Sequence, residues 1–164
     1  MSFQQIRNYI YSNQWDEAEE MIRVNPDEVK KDRYLLWDAI WRKPTYSLVR
    51  ALIDADPEQA KENKIDNEYP LHKAIKEDHP SDIILLILDA YPEAAKVKDS
   101  DSWYPIHKAV EKKCSLEVIT KLDKVFEDGP VEIIKGKLLY DIDKYPQFAS
   151  QEYSNGQYLI HKAL

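Results

Sequence analysis

The chain has 164 residues, about one domain's worth, and its 43% apolar and 32% charged residues are those of a globular protein. A net charge of −7 argues against nucleic-acid phosphates and anionic membrane surfaces as main partners. A single cysteine, Cys114, excludes an internal disulfide framework and a multi-cysteine zinc site, and three glycines leave no glycine-rich phosphate loop.

The N-terminal stretch, residues 1–28, reads as a capping helix pair. Ile6, Tyr9 and Ile10 make one apolar stripe; Trp15, Ala18, Met21 and Ile22 make a second. Gln4, Gln5, Asp16, Glu17 and Glu20 face outward, as the terminal unit of a stack requires. The acidic run Asp16, Glu17, Glu19, Glu20 reads as a solvated face, because no apolar pocket stands by to raise a carboxylate pKa. The opening residues lack the charged-then-apolar pattern of a secretory signal, and no apolar run approaches the ~20 residues a membrane helix needs. With one cysteine, the expected location is intracellular, cytoplasmic or nuclear.

Beyond the cap the chain repeats itself. Tyr69-Pro70-Leu71-His72-Lys73-Ala74-Ile75 returns 35 positions later as Tyr104-Pro105-Ile106-His107-Lys108-Ala109-Val110. A third copy, Tyr158 to Leu164, follows after 54 positions, and a weaker one, Tyr34 to Ile40, lies 35 positions upstream. A proline motif keeps the same register at Pro57, Pro92 and Pro146, with an echo at Pro26. Two motifs in one register make internal repeats the controlling fact of the fold.

Each unit reads as two helices. The first starts at Pro70 or Pro105, where proline's missing N–H has no helical partner to lose. Leu71, Ala74 and Ile75, like Ile106, Ala109 and Val110, then share one face. Ser81 or Asp82 caps the second helix, whose apolar run Ile83–Leu88 is to be covered on most sides. That helix ends before Pro92, and Pro92–Lys96 adds an extra turn. Strand signals are nearly absent.

The units divide as repeat 1 (29–63, degenerate), repeat 2 (64–98), repeat 3 (99–152) and the start of repeat 4 (153–164). Repeat 3 holds the excess length as an inserted helix at about 127–145, a degenerate extra repeat being the alternative. Leu159, Ile160, Ala163 and Leu164 have no second helix after them, so either a longer chain or a partner is expected to cover them.

Pro-Leu-His-x-Ala at the head of a first helix, in units of this length, resembles the ankyrin repeat. Other helical-pair repeats are the alternative. The departures are specific. Tyr34, Tyr69, Tyr104 and Tyr158 stand where the family has threonine, so its hydroxyl cap is lost. The family's turn glycine survives only as Gly156, with Asp32, Asn67 and Ser102 elsewhere, and the β-hairpin finger is in doubt at Ser102. The fold expected is all-α, a divergent ankyrin-like solenoid of helical pairs with short turns and little or no β-structure. The resemblance implies a non-catalytic module that binds another protein through a concave face of first helices and turns, with no cofactor. A structural subunit of a larger assembly, or the targeting domain of a longer enzyme, are the alternatives.

Candidate residues are weighed against that layout. His72, His107 and His161 share one repeat position, but stacked helices sit ~8–10 Å apart and one zinc needs its nitrogens at ~2 Å. Each is therefore expected to bond its own turn, with no metal. His79, in a polar turn, reads as surface. Cys114 lies about two helical turns from His107, too far for a thiolate–imidazole pair. Lys73, Lys108 and Lys162 form a ladder that either meets an acidic partner or pairs internally, Asp38 being the nearest acid in register. Trp41 and Trp103 are expected on the inner groove with Arg33, Arg42, Glu68, Lys76, Glu77, Glu111 and Lys112, where exposed tryptophan and arginine dominate interface energetics; inter-repeat packing is the competing role for the two tryptophans. Trp15 and Trp37 read as core.

Overall fold

The computed structural model describes residues 3–63, 68–101 and 103–125. Over these the chain forms α1 (Phe3–Tyr11), α2 (Trp15–Val24), α3 (Leu35–Trp41), α4 (Tyr46–Ala55), α5 (Pro70–Lys76), α6 (Ser81–Ala90), α7 (Pro105–Glu111) and α8 (Leu116–Val125). A proline-led 3-10 turn follows each of the first three pairs, at Pro26–Lys31, Pro57–Lys61 and Pro92–Lys96. Among the described residues there is no strand; Glu68 alone has bridge geometry. The inserted helix expected near 127–145, the repeat start at 153–164 and the residues His161, Lys162, Tyr158 and Gly156 lie outside the described residues.

The helices stack in two layers. α1 packs on α3, α3 on α5 and α5 on α7, while α2, α4, α6 and α8 follow one another in the second layer. Each 3-10 turn packs against the second helix of the next pair. The first helices α3, α5 and α7 have seven residues each, too short to hold themselves in water. Packing holds them. Leu36, Leu71 and Ile106 are fully buried at one repeat position, as are Ala39, Ala74 and Ala109 at another. Truncating one of the leucines to alanine costs about 2–5 kcal/mol. The acyclic run of α6 behaves as its composition predicts: Ile83, Ile84, Ile87 and Leu88 are buried and Leu85 and Leu86 half-buried.

Between pairs, Asp32 is extended, with φ −132°, and Asn67 and Ser102 are not described. Inside the pairs, the left-handed residues among those described are Asn13, Lys43, Asp78 and Lys113, at φ 54–58°, each just past the end of a first helix. Two crossed bonds close these turns: His79 N–H to Ala74 O (3.0 Å) with Asp78 N–H to Ile75 O (3.2 Å), and Cys114 N–H to Ala109 O (2.9 Å) with Lys113 N–H to Val110 O (3.1 Å). This is the Schellman arrangement, which satisfies the orphan carbonyls at a helix end. After α3 the residue that should donate the second bond is Pro44, which has no N–H.

The caps also differ. α6 starts at Ser81 behind Pro80, without a side-chain cap bond, so neither Ser81 nor Asp82 occupies the cap position. The Ser81 hydroxyl instead donates to Ser115 Oγ at 2.9 Å, joining two pairs. At α5 and α7 the lost threonine is offset by histidine. Tyr69 N–H donates to His72 Nδ1 (3.3 Å) and Tyr104 N–H to His107 Nδ1 (3.1 Å). An imidazole at the third helical position thus performs the reach-back that glutamate performs in a capping box.

Candidate functional site

The first-helix layer carries the charged and aromatic residues that the repeats hold in register. At the last position of each first helix stand Tyr11, Trp41, Lys76 and Glu111. Tyr11 is 38% exposed and Trp41 57%. Both are apolar ring surfaces that the core leaves outside.

Trp41 is held from several directions. Its ring stacks on Trp37, with centroids 6.0 Å apart and planes at 18°. Trp37 is itself buried and donates its indole N–H to Glu68 O at 3.2 Å, which fixes the pair to the next repeat. Lys73 Nζ lies 3.5 Å from the Trp41 centroid and 5.8 Å from that of Trp37. The same ammonium donates to Glu77 Oε1 at 2.7 Å. Its charge-assisted bond holds the Glu77 carboxyl below the usual carboxylate range. A cation on a tryptophan face is worth about 2 kcal/mol when desolvated, and Lys73 is only 2% exposed.

The expected ladder therefore turns inward at Lys73, which presents no surface for a partner. Its carboxylate is Glu77 on its own helix. Lys108 does the same one repeat on. It lies 3.3 Å from Glu111 and 5.2 Å from the Trp103 centroid, with its side chain 16% exposed. Trp103 is half-buried, its main-chain N–H donating to Asp99 Oδ1 at 2.9 Å and its ring set edge-on against His107. Trp15 packs partly buried against the core, and Trp37 lies in it.

The remaining expected residues fall into two sets. Arg42 and Trp41 join the Lys73–Glu77 cluster. Arg42 lies 4.5 Å from the Tyr11 centroid and donates to Tyr11 O at 3.1 Å. Arg33 pairs with Glu62 (3.6 Å), Lys76 with Glu68 (3.3 Å) and Lys112 with Asp78 (3.1 Å). Two members of the cluster escaped sequence reasoning. Tyr11 ends its first helix as Trp41 does, but it lies 30 residues earlier rather than 35, so the repeat register gave no signal for it. Lys43 follows Arg42 and donates to Glu77 O at 2.6 Å. Beneath Tyr11, buried Asp38 accepts its phenol at 2.8 Å, and Arg7 lies 3.8 Å from the same oxygen.

The histidines serve the fold. His72 Nε2 meets Val97 O at 2.9 Å while Nδ1 accepts from Tyr69, so the proton is on Nε2 and the ring is neutral. His79 corrects the surface expectation. It is 6% exposed, with Nε2 2.8 Å from Ile40 O in the preceding repeat. Burial lowers the pKa of both rings. Cys114 occupies the place of His79 one repeat later, and burial pushes its thiol up to about 11, far from a nucleophile's range. Among the described residues no three His, Cys, Asp or Glu side chains are grouped to hold a metal ion, and no helix is long and apolar enough to cross a membrane.

Comparison with known proteins places this geometry. No curated protein and no solved structure matched the chain. Residues 52–109 match the family model for ankyrin repeats (many copies). The matched segment runs from within α4 to the end region of α7, and so holds the 3-10 turn, the histidine cap and the paired helices described above. Residues 52–109 are thus similar to ankyrin repeats, and the stacked helical pairs of the described residues are consistent with that fold.

Proposed function

We propose that the chain is a non-catalytic protein-binding module that docks a partner through its first-helix face, with Trp41 at the centre of the contact. Ankyrin repeats generally mediate protein–protein interaction, which sets the class. One observation supports the position. Trp41 is 57% exposed yet already immobilised by the Trp37 stack and the Lys73 ammonium. An anchor ordered before binding loses little side-chain entropy on association, about 0.5–1.5 kcal/mol less than a free one. Tryptophan and tyrosine are also the types that supply most interface energy.

The test compares partner recovery by the full chain and two single variants of matched melting temperature. Trp41→Ala should lose the partner; Tyr46→Ala, on the second-helix layer, should keep it. Recovery that survives Trp41→Ala and fails with Tyr46→Ala overturns the assignment of the face.

A further inference from the structure

We infer that the partner segment seated on Trp41 is acidic: an extended peptide that lays a bulky apolar side chain on the Trp41–Tyr11 surface and sets carboxylates on Arg42 and Lys43. This rests on the docking face proposed above and specifies its ligand. The reason is where the local charge is spent. The carboxylates in the cluster are engaged from within: Glu77 by Lys73 at 2.7 Å, and buried Asp38 by the Tyr11 hydroxyl at 2.8 Å with Arg7 at 3.8 Å. Arg42 and Lys43 donate to carbonyls instead, Tyr11 O and Glu77 O. Among the described residues neither forms an ion pair with a carboxylate. Most other exposed cations of the two layers do, as with Arg23–Glu20, Arg50–Asp54 and Lys112–Asp78.

Two cations without a carboxylate in ion-pair contact among the described residues, Lys43 near enough to Glu77 to help lower its pKa, therefore stand beside the exposed tryptophan on a chain whose net charge is −7. Trp41 meets Lys73, Lys73 meets Glu77, and Glu77 O receives Lys43; Arg42, next to Trp41 in the chain, lies on Tyr11. Aromatic surface beside such cations fits an apolar residue beside aspartate or glutamate. Charge complementarity of this kind fixes register and speeds encounter.

The probe is a phage-displayed library of random linear peptides, panned on the full chain at low and at high salt. Enrichment of peptides that place Asp or Glu next to a bulky apolar residue, weakening with salt, is the expected result. Arg42→Gln with Lys43→Gln should weaken a synthetic copy of such a peptide about ten-fold, as should Trp41→Ala, with Arg50→Gln as the neutral control. Unchanged melting temperatures show that the variants fold; Lys43→Gln, at an exposed side chain, carries the test if Trp41→Ala does not fold. Enriched peptides that are neutral or basic but still need Trp41 overturn the acidic partner and leave the docking face standing. Peptides indifferent to both Trp41 and Lys43 overturn both readings. No enrichment, or tighter retention of a single-stranded oligonucleotide than of any peptide, overturns the acidic segment alone and leaves the face to the recovery experiment.

Discussion

His79 Nε2 lies 2.8 Å from the main-chain oxygen of Ile40, 39 residues earlier, so the turn of one helical pair is tied to the end of the first helix in the pair before it. Ile40 O also takes the Lys43 N–H, at a long 3.4 Å, so the histidine adds a bond between repeats at a helix end that is only loosely closed from within. His79→Ala should therefore destabilise the stack by about 1–3 kcal/mol, the usual effect of leaving a buried acceptor short of a partner. His79→Gln, which still offers an N–H, should recover part of that loss. Urea midpoints of the two variants check the order; equal loss in both would mean that ring packing rather than the bond matters.

Acid should weaken the same joints. His72 and His79 are both buried, and both have pKa values lowered by burial. The folded state therefore binds protons less readily than the unfolded one. Stability rises with pH wherever the unfolded chain holds more protons. It is full above the unfolded histidine value of about 6.5 and falls as the pH drops below it toward the folded values. For His72 the structural reason is explicit: a proton on Nδ1 abolishes the acceptor of Tyr69 N–H. Glu68 and Asp99 face this ring and oppose the shift, as Glu77 does for His79, where Lys43 and Lys73 reinforce it. Glu77, held low by Lys73, loses its contribution only on further acidification below its unfolded value of about 4.5. Melting curves between pH 7.5 and 5 should fall for the native chain and flatten for the His72→Gln, His79→Gln double variant.

The repeat was legible because burial imposed it. Leu36, Leu71 and Ile106 occupy the same packed place, so the same residue type recurs at a constant interval. The extra turn after Pro92 was legible for a similar reason, since proline stops one helix and starts the next turn. The left-handed positions were not. Asn13 and Asp78 are of types that enter αL readily, but lysine carries no preference that marks Lys43 and Lys113; hydrogen-bond closure of the helix end selects the conformation there. His79 was misread because Glu77, Asp78 and Pro80 make its neighbourhood look wet. Register held the missing clue: its counterparts Pro44 and Cys114 are buried and half-buried. At the candidate site the types of residue were legible and their allegiance was not. Lys73 and Trp41 are 32 positions apart in sequence, and only the stacking of α3 on α5 sets the ammonium against the ring.

Gln59 ties the 3-10 turn after α4 to the 3-10 turn before α3 and to α3 itself more firmly than its single side chain suggests. It is 1% exposed. Its amide nitrogen donates to Asp32 O at 2.9 Å and to Val29 O at 3.3 Å, and its oxygen accepts Leu36 N–H at 3.2 Å. One amide thus satisfies the end of a 3-10 turn and the start of α3 together. Gln59→Ala should cost about 2–3 kcal/mol, because several buried main-chain groups lose their partner at once. Gln59→Leu should cost nearly as much despite filling the space, and that comparison separates the bonds from the cavity. Amide exchange at Leu36 should speed up in both variants.

Lys73 and Lys108 occupy one repeat position but should respond differently to charge reversal. Lys73 is 2% exposed and lies between two indole rings and a carboxylate. Lys73→Glu sets a buried anion against Glu77 and against the electron-rich face of Trp41. Uncompensated buried charge costs about 3–5 kcal/mol, so this variant should unfold at much lower urea. Lys108 keeps a partly solvated ammonium, and Lys108→Glu should cost under about 1 kcal/mol. Lys73→Met retains the stem that packs beneath Trp41, and Glu77, a third exposed, remains hydrated when its partner goes. That variant should lose about 2 kcal/mol, the worth of the cation on the tryptophan face, yet should bind a partner as the native chain does, since the ammonium never faces it. Loss of binding by a stably folded Lys73→Met would instead mean that the Lys73 charge sets the pose of Trp41 on the docking face.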